Sequence, residues 1–426
     1  MYFYIIMRKL GIFILVLLSL SGTAGSVLVP MDDSQKNHLK AYGLAYMALE
    51  GNLEIHWLLN YRGGSFLIPA GKAITKECDI RGISYEVIGD AAAQNLLAEI
   101  ANPEVNQDAV KLEKAPRIAV YSPPGKQPWD DAVTLVLKYA EIPYEVVYDE
   151  ELYLDKLKDY DWLHLHHEDF TGQYGKFYGS FMNAAWYQAE VRQNETLAKK
   201  LGFGKVSQMK LNSAKKIRDF VFSGGFLFAM CSATDSYDIA LAAEGVDICE
   251  SMYDHDPADK SAQSKLDFSR SFAFDNYKLF MDPYFYEYST IDTYHTRRKY
   301  GMTEKTDVFT LFDFSAKWDP VPTMLCQNHT QTIKGFWGQT VAFEKSTVKK
   351  NVLIMGESKA YNEARYIHGE HGKGTWTFYG GHDPEDYEHR VEEPPTDLSL
   401  HPNSPGYRLI LNNILFPAAK KKKQKT

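Results

Sequence analysis

Hydrophobic and polar positions change period in a regular way along the middle of this chain. Short apolar runs at 117–121, 144–148, 162–166 and 226–230 alternate with stretches of helical period at 128–142, 151–157, 183–201 and 211–222. Strands separated by helix-length segments predict an α/β fold with a mainly parallel sheet, joined by right-handed crossovers and flanked by helices. Ligands in such sheets bind at the carboxyl ends of the strands. Two polar groups are expected there, the run His166-His167-Glu168-Asp169 and the segment that begins at Cys231.

The flanking regions read differently. Residues 30–112 form an N-terminal α/β region, with helices at 35–50, 72–78 and 90–101, strands at 53–59 and 84–88, and a polar linker at 102–113. Residues 249–320 are rich in Asp, Ser and Tyr with few apolar periods, and are expected to be an insertion or lid over the functional edge. Strands are predicted again at 323–326, 335–343, 352–355 and 375–379, with a closing helix at 405–415.

The first 25 residues add a targeting signal to this picture. Arg8 and Lys9 precede the apolar run 12–20 and then small residues, the order of a secretory leader cleaved near Ala24 or Gly25. A secreted or periplasmic protein is therefore expected, with no membrane span in the mature chain. Residues 417–426 carry five lysines within 420–425 and are expected to be a basic, disordered tail. The net charge of −8 argues against a nucleic-acid binder. Four scattered cysteines without CxxC spacing make no disulfide framework.

Candidate chemistry concentrates at Cys231. The apolar strand 226–230 runs straight into a helix, so Cys231 is placed on a sharp strand-to-helix turn. Residues two before and two after such a nucleophile must be small, and Ala229 and Ala233 satisfy this. A helix N-terminus also favours thiolate. A free cysteine in such a place can equally be a small buried hydrophobe. Arg62, in the turn Tyr61-Arg-Gly-Gly64, could clamp a carboxylate or serve as a structural ion pair. The histidines at 166–167 and at 368 and 371 have metal-ligand chemistry. Neighbours on a strand point to opposite faces, however, so His166 and His167 are not expected to share an ion. No metal or cofactor is expected.

The order strand, Cys231, helix, then a late strand ending in Gly380-Gly-His382, resembles the class I glutamine amidotransferase-like, flavodoxin-like fold over about 115–416. The run Gly372-Lys-Gly-Thr-Trp-Thr-Phe-Tyr-Gly-Gly-His-Asp383 is similar to the trehalose-utilisation branch of that superfamily. The resemblance implies a cysteine hydrolase or amidase, with Cys231 as nucleophile, His382 as base and Glu385 orienting the imidazole. Main-chain N–H groups at Ser232 and near the end of an adjacent strand would then bind the oxyanion, and Arg62, His167, Glu168 and Ser232 are expected around the substrate. Two residues separate His382 from Glu385 where that family has one, and the elbow glycines are alanines.

The segments Trp57-Leu-Leu-Asn-Tyr-Arg-Gly-Gly-Ser-Phe66 and Met230-Cys-Ser-Ala-Thr-Asp-Ser236 also resemble exported Bacteroidetes proteins labelled asparagine synthetase B. The chain has no N-terminal cysteine nucleophile and no phosphate-cradling loop, so ATP-dependent amide synthesis is not expected. The alternative to a hydrolase is a non-catalytic or carbohydrate-binding relative, in which Tyr284-Phe-Tyr-Glu-Tyr288 lines a sugar site. Either way the expected partner is a small-molecule or carbohydrate ligand.

Overall fold

A computed structural model describes residues 25–124, 131–390 and 393–419. The leader run and the lysine tail lie outside the described residues. Five strands build a first, wholly antiparallel sheet: β1 (Ser26–Val29), β2 (Ile55–Leu59), β3 (Ser65–Pro69), β4 (Glu86–Ile88) and β5 (Asp108–Leu112), in the order β4-β1-β3-β2-β5. β1 starts at Ser26 and is paired on both sides, with Val27 and Val29 fully buried.

The second sheet holds β6 (Ile118–Tyr121), β7 (Glu145–Val147), β8 (Trp162–Leu165), β9 (Phe226–Met230), β10 (Val308–Leu311), β11 (Thr332–Lys334), β12 (Phe343–Glu344), β13 (Leu353–Ser358), β14 (Glu363–His371) and β15 (Gly374–Tyr379). Its order is β11-β10-β13-β14-β15-β9-β8-β6-β7, with β12 on β14. From β15 to β7 neighbouring strands are parallel. From β15 outwards to β11 they are antiparallel. The sheet is thus mixed, which corrects the expectation of a mainly parallel one. The expected insertion contributes β10 to it, so part of that segment is sheet and not lid.

Two further expectations are corrected. Residues 321–326 form a 3-10 helix, Val321–Cys326, and most of 335–343 is loop. β14 was not anticipated, because a central strand bearing Glu363 and Arg365 reads as surface. Both side chains are fully buried, and Arg297 pairs with Glu363 at 2.6 Å and with Asp307 at 2.6 Å, while Arg365 lies 3.5 Å from Asp307. Charge is tolerated there because each carboxylate meets a guanidinium.

Alternation along β9 gives the sheet two apolar faces. Phe228 and Met230 join one core with Trp57 and Phe66 of the first sheet and the helices His38–Glu50, Ala132–Ala140 and Pro405–Leu415. Leu227 and Ala229 join another with helices Val206–Ser223 and Ala233–Ala242. With both faces covered, function is left to the strand ends.

Candidate functional site

β9 ends at Met230, and the next residue, Cys231, takes φ 52° before the helix Ala233–Ala242 begins. A side chain in this left-handed region costs on the order of 1–3 kcal/mol and persists where packing over-determines it. Here the Ala233 N–H donates to the His166 carbonyl at 2.8 Å, tying the turn to the end of β8. The Thr234 N–H donates to the Cys231 carbonyl at 3.1 Å. Ala229 and Ala233 are fully buried, as the elbow requires of its flanking positions.

The loop after β11 passes over the thiol. The Gln339 N–H donates to Cys231 Sγ at 3.2 Å, and the N–H groups of Thr340 and Ser232 also interact favourably with the thiolate. Burial is the larger influence and pushes the thiol up to about 11. Gly338 is obligatory: a Cβ there would stand 2.9 Å from the His382 nitrogen and 3.1 Å from Cys231 Sγ. The His382 N–H donates to the Trp337 carbonyl at 2.7 Å, and Gly381 N–H to the Thr340 carbonyl at 2.8 Å. The loop is held in turn by Arg365, which donates to the Phe336 carbonyl at 2.8 Å, and by Gln339 Nε2, which donates to the Gly175 and Tyr286 carbonyls at 2.7 and 2.8 Å. Neither this loop nor its Arg365 anchor was legible in the sequence, where the segment scans as a strand.

Cys231, His382, His167, Tyr286, Trp337 and Arg298 line a common cavity of about 390 Å³. The expected grouping of Cys231 with His382 is therefore present. Glu385 lies elsewhere: its carboxylate is 3.2 Å from His401 Nδ1. The His382 ring is held by its neighbours, with His389 stacked at 4.8 Å and 22° and His166 at 4.4 Å between centroids. His389 is fixed by Asp386, 2.8 Å from its Nδ1. Burial, with the nearby His166, His167 and His389, holds His382 well below the usual imidazole range.

His167 faces the cavity, and burial with His166 brings it down to about 3. Glu168 lines a neighbouring, larger cavity of about 1040 Å³ with His167, Tyr148 and Glu190, and burial raises its carboxyl to about 8. Ser232 is fully buried and contributes its main-chain N–H. Arg62 is not in this cavity. It sits in a turn of the first sheet at φ 44°, paired with Asp32 at 2.8 Å and Glu86 at 2.6 Å, and is a structural ion pair instead of a substrate clamp.

The separation of His166 and His167 fails as an argument because β8 stops at Leu165. Strand alternation no longer applies beyond it, and the two rings are 5.1 Å apart. Ring nitrogens of His166, His167 and His382 all lie within 4.8 Å of one another. All four cysteines are buried and free.

No family model and no curated protein matches the chain. Among solved structures, the cytoplasmic protein STM3548 from Salmonella typhimurium is similar at 11% identity and TM-score 0.35, over 72% of this chain and 100% of that one. The cytoplasmic protein STM1381 from Salmonella typhimurium LT2 follows at 10% and 0.32, over 64% and 90%. Gan42B, a GH42 β-galactosidase, matches at 10% and 0.27, over 63% of this chain and 28% of its own. Similarity at this level assigns neither fold family nor activity.

Proposed function

We propose that the protein is a cysteine-dependent hydrolase or amidase of the class I glutamine amidotransferase-like type. The observation that carries this is Cys231 at φ 52° on the end of β9, its sulfur under the Gln339 N–H, in one cavity with His382. The parallel strands read β7-β6-β8-β9-β15, the 2-1-3-4-5 order of flavodoxin-type sheets, which supports the fold half of the proposal.

In this mechanism neutral His382 takes the thiol proton as sulfur attacks an amide or ester carbonyl, then returns it to the leaving group. Water afterwards cleaves the thioester with His382 again as base. The N–H groups of Gln339, Thr340 and Ser232 surround the sulfur and can turn to the developing oxyanion, a contribution of about 3 kcal/mol per donor in comparable sites. Ring stacking by His389 does the orienting that a third triad member does elsewhere. Tyr286, Tyr294 and Trp337 line the cavity beside Arg298 and Arg390, which suits a small carbohydrate-like or carboxylate-bearing acyl substrate. An exported location is part of the same proposal, and mass spectrometry of the mature N-terminus should find it at or just before Ser26.

Iodoacetamide competition in chelator-treated protein tests the reading. Burial raises Cys78 to about 12 and holds Cys249 and Cys326 well above the usual thiol range, so Cys231 should label first. Its rate should climb about tenfold per pH unit above neutrality, because the thiolate is the reactive form. His382→Ala should slow it. Labelling of another cysteine ahead of Cys231, or an unchanged rate in the His382 variant, would favour the non-catalytic carbohydrate-binding relative.

A further inference from the structure

We propose that His166, His167 and His382 form a binding site for a divalent transition metal ion, Zn²⁺ or a close relative, with Asp131 holding His166 in the ligating tautomer. The ring nitrogens lie within 4.8 Å of one another, and small side-chain rotations bring them to the roughly 3.3 Å spacing that a tetrahedral ion with 2.0–2.1 Å bonds requires. The ring centroids are 4.4 Å apart for His166 and His382, 5.1 Å for His166 and His167, and 5.9 Å for His167 and His382.

Two observations point to a ligand. His166 and His382 are 1% and 5% exposed, and neither Nε2 meets a hydrogen-bond partner among the described residues. Leaving a buried polar nitrogen unsatisfied costs about 1–3 kcal/mol, and two such nitrogens in one cluster are what a cation would relieve. The second observation is Asp131. One carboxylate oxygen takes the Val133 and Thr134 N–H groups at 2.7 and 3.0 Å and stands 3.3 Å from His166 Nδ1, while the other is 3.2 Å from His164 Nε2. A helix cap is thus shared with two imidazoles. Asp131 stands 3.3 Å from His166 Nδ1 without a formed hydrogen bond, and a small ring rotation that directs the Nδ1 proton at it would present the Nε2 lone pair, the carboxylate–histidine–metal arrangement that fixes ring orientation. His389 and Asp386 brace His382 from the other side.

The position fits as well. The cluster stands beyond the carboxyl ends of β8 and β15, beside β6, where the chain order reverses and ligands enter open α/β sheets. An all-imidazole set favours Zn²⁺, Co²⁺, Ni²⁺ or Cu²⁺ over Mg²⁺ or Ca²⁺. His167 and His382 face the Cys231 cavity, which leaves a coordination position open to a water or substrate oxygen. Binding does not depend on the thiol chemistry, but it would occupy His382 and withdraw the base from Cys231.

The test is titration of the chelator-stripped full chain with Zn²⁺ against a chromogenic competitor, alongside Co²⁺ absorption spectra. One ion per chain, with a tetrahedral or five-coordinate Co²⁺ spectrum, is expected. His166→Gln and His167→Gln should each weaken binding at least 100-fold, and Asp131→Asn by about 10–100-fold. Cys231→Ala should bind as the parent does. A Zn²⁺-induced rise in Tm for the parent, lost in His167→Gln, gives a readout should the more buried His166 variant fold poorly. Retained affinity in both histidine variants would overturn the proposal, as would loss of binding in Cys231→Ala, which would place the ion on sulfur. Failure here with rapid Cys231 labelling would leave the hydrolase reading standing, and slow labelling with tight Zn²⁺ binding would do the reverse.

Discussion

Two buried polar clusters lie on the same sheet and differ in what holds them together. At the antiparallel side, Arg297 is held by Glu363 and Asp307, Arg365 faces Asp307 and the Phe336 carbonyl, and the four side chains are fully buried. At the parallel side, His166 and His382 keep buried Nε2 atoms without hydrogen-bond partners among the described residues, next to an open cavity. A network knitted by ion pairs braces a scaffold even with Asp307 Oδ1 and two Arg365 nitrogens left without a hydrogen bond, and a cluster of imidazoles beside a cavity leaves bonding capacity for a ligand. The first positions the loop that carries Gln339 over the thiol; the second meets whatever enters beside it.

That contrast makes its largest prediction at the ion-paired network. Glu363→Ala would strand Arg297 among apolar walls, and urea unfolding should show a loss of about 3–5 kcal/mol. His167→Gln in the metal-free protein should cost far less. Equal losses would erase the distinction between the clusters.

Asp238 lies between these extremes. Its carboxylate accepts the N–H groups of Phe272, Ala273 and Phe274 at 2.7, 2.6 and 3.0 Å, and burial raises it to about 6. With the folded value above the unfolded one, the native state binds the extra proton between roughly pH 4 and 6. Stability from this group therefore falls as pH rises through that window, by on the order of 2–3 kcal/mol. Urea midpoints measured from pH 4 to 7 should fall less steeply in Asp238→Asn than in the parent; the slope is the readout, since the amide cannot accept all three bonds. An unchanged slope would mean the main-chain donors already compensate the buried charge.

A smaller effect sharpens the elbow. If Cys231 is held at positive φ by its surroundings, Cys231→Gly should be more stable than Cys231→Ala by about 1 kcal/mol, because glycine alone enters that region freely. The reverse order in thermal unfolding would mean the backbone relaxes when the thiol is gone. Smallest of all, Arg62→Ala should change stability by about 1 kcal/mol or less, as partly exposed ion pairs do, and leave Cys231 labelling untouched. A large fall in labelling would return Arg62 to the site.

Much of the parallel half was legible from periodicity, because apolar strands and amphipathic helices are local patterns that each segment carries on its own. β6, β7, β8, β9 and β15 fall within a residue or two of the expected runs, and the Cys231 turn stands where small residues flank it. The antiparallel half was legible only at β13, expected at 352–355, since β14 hides buried charge whose partners, Arg297 and Asp307, come from far along the chain. The same limit applies to the site. Sequence alone named Cys231, His382 and His167, but it gave Glu385 to His382 although His401 is its partner, and it separated His166 from His167 by a strand rule that ends at Leu165. Which nitrogens face one another, and which N–H lies on the sulfur, depends on loops brought together across the sheet. Those contacts have no period to read, and only the tertiary structure decides them.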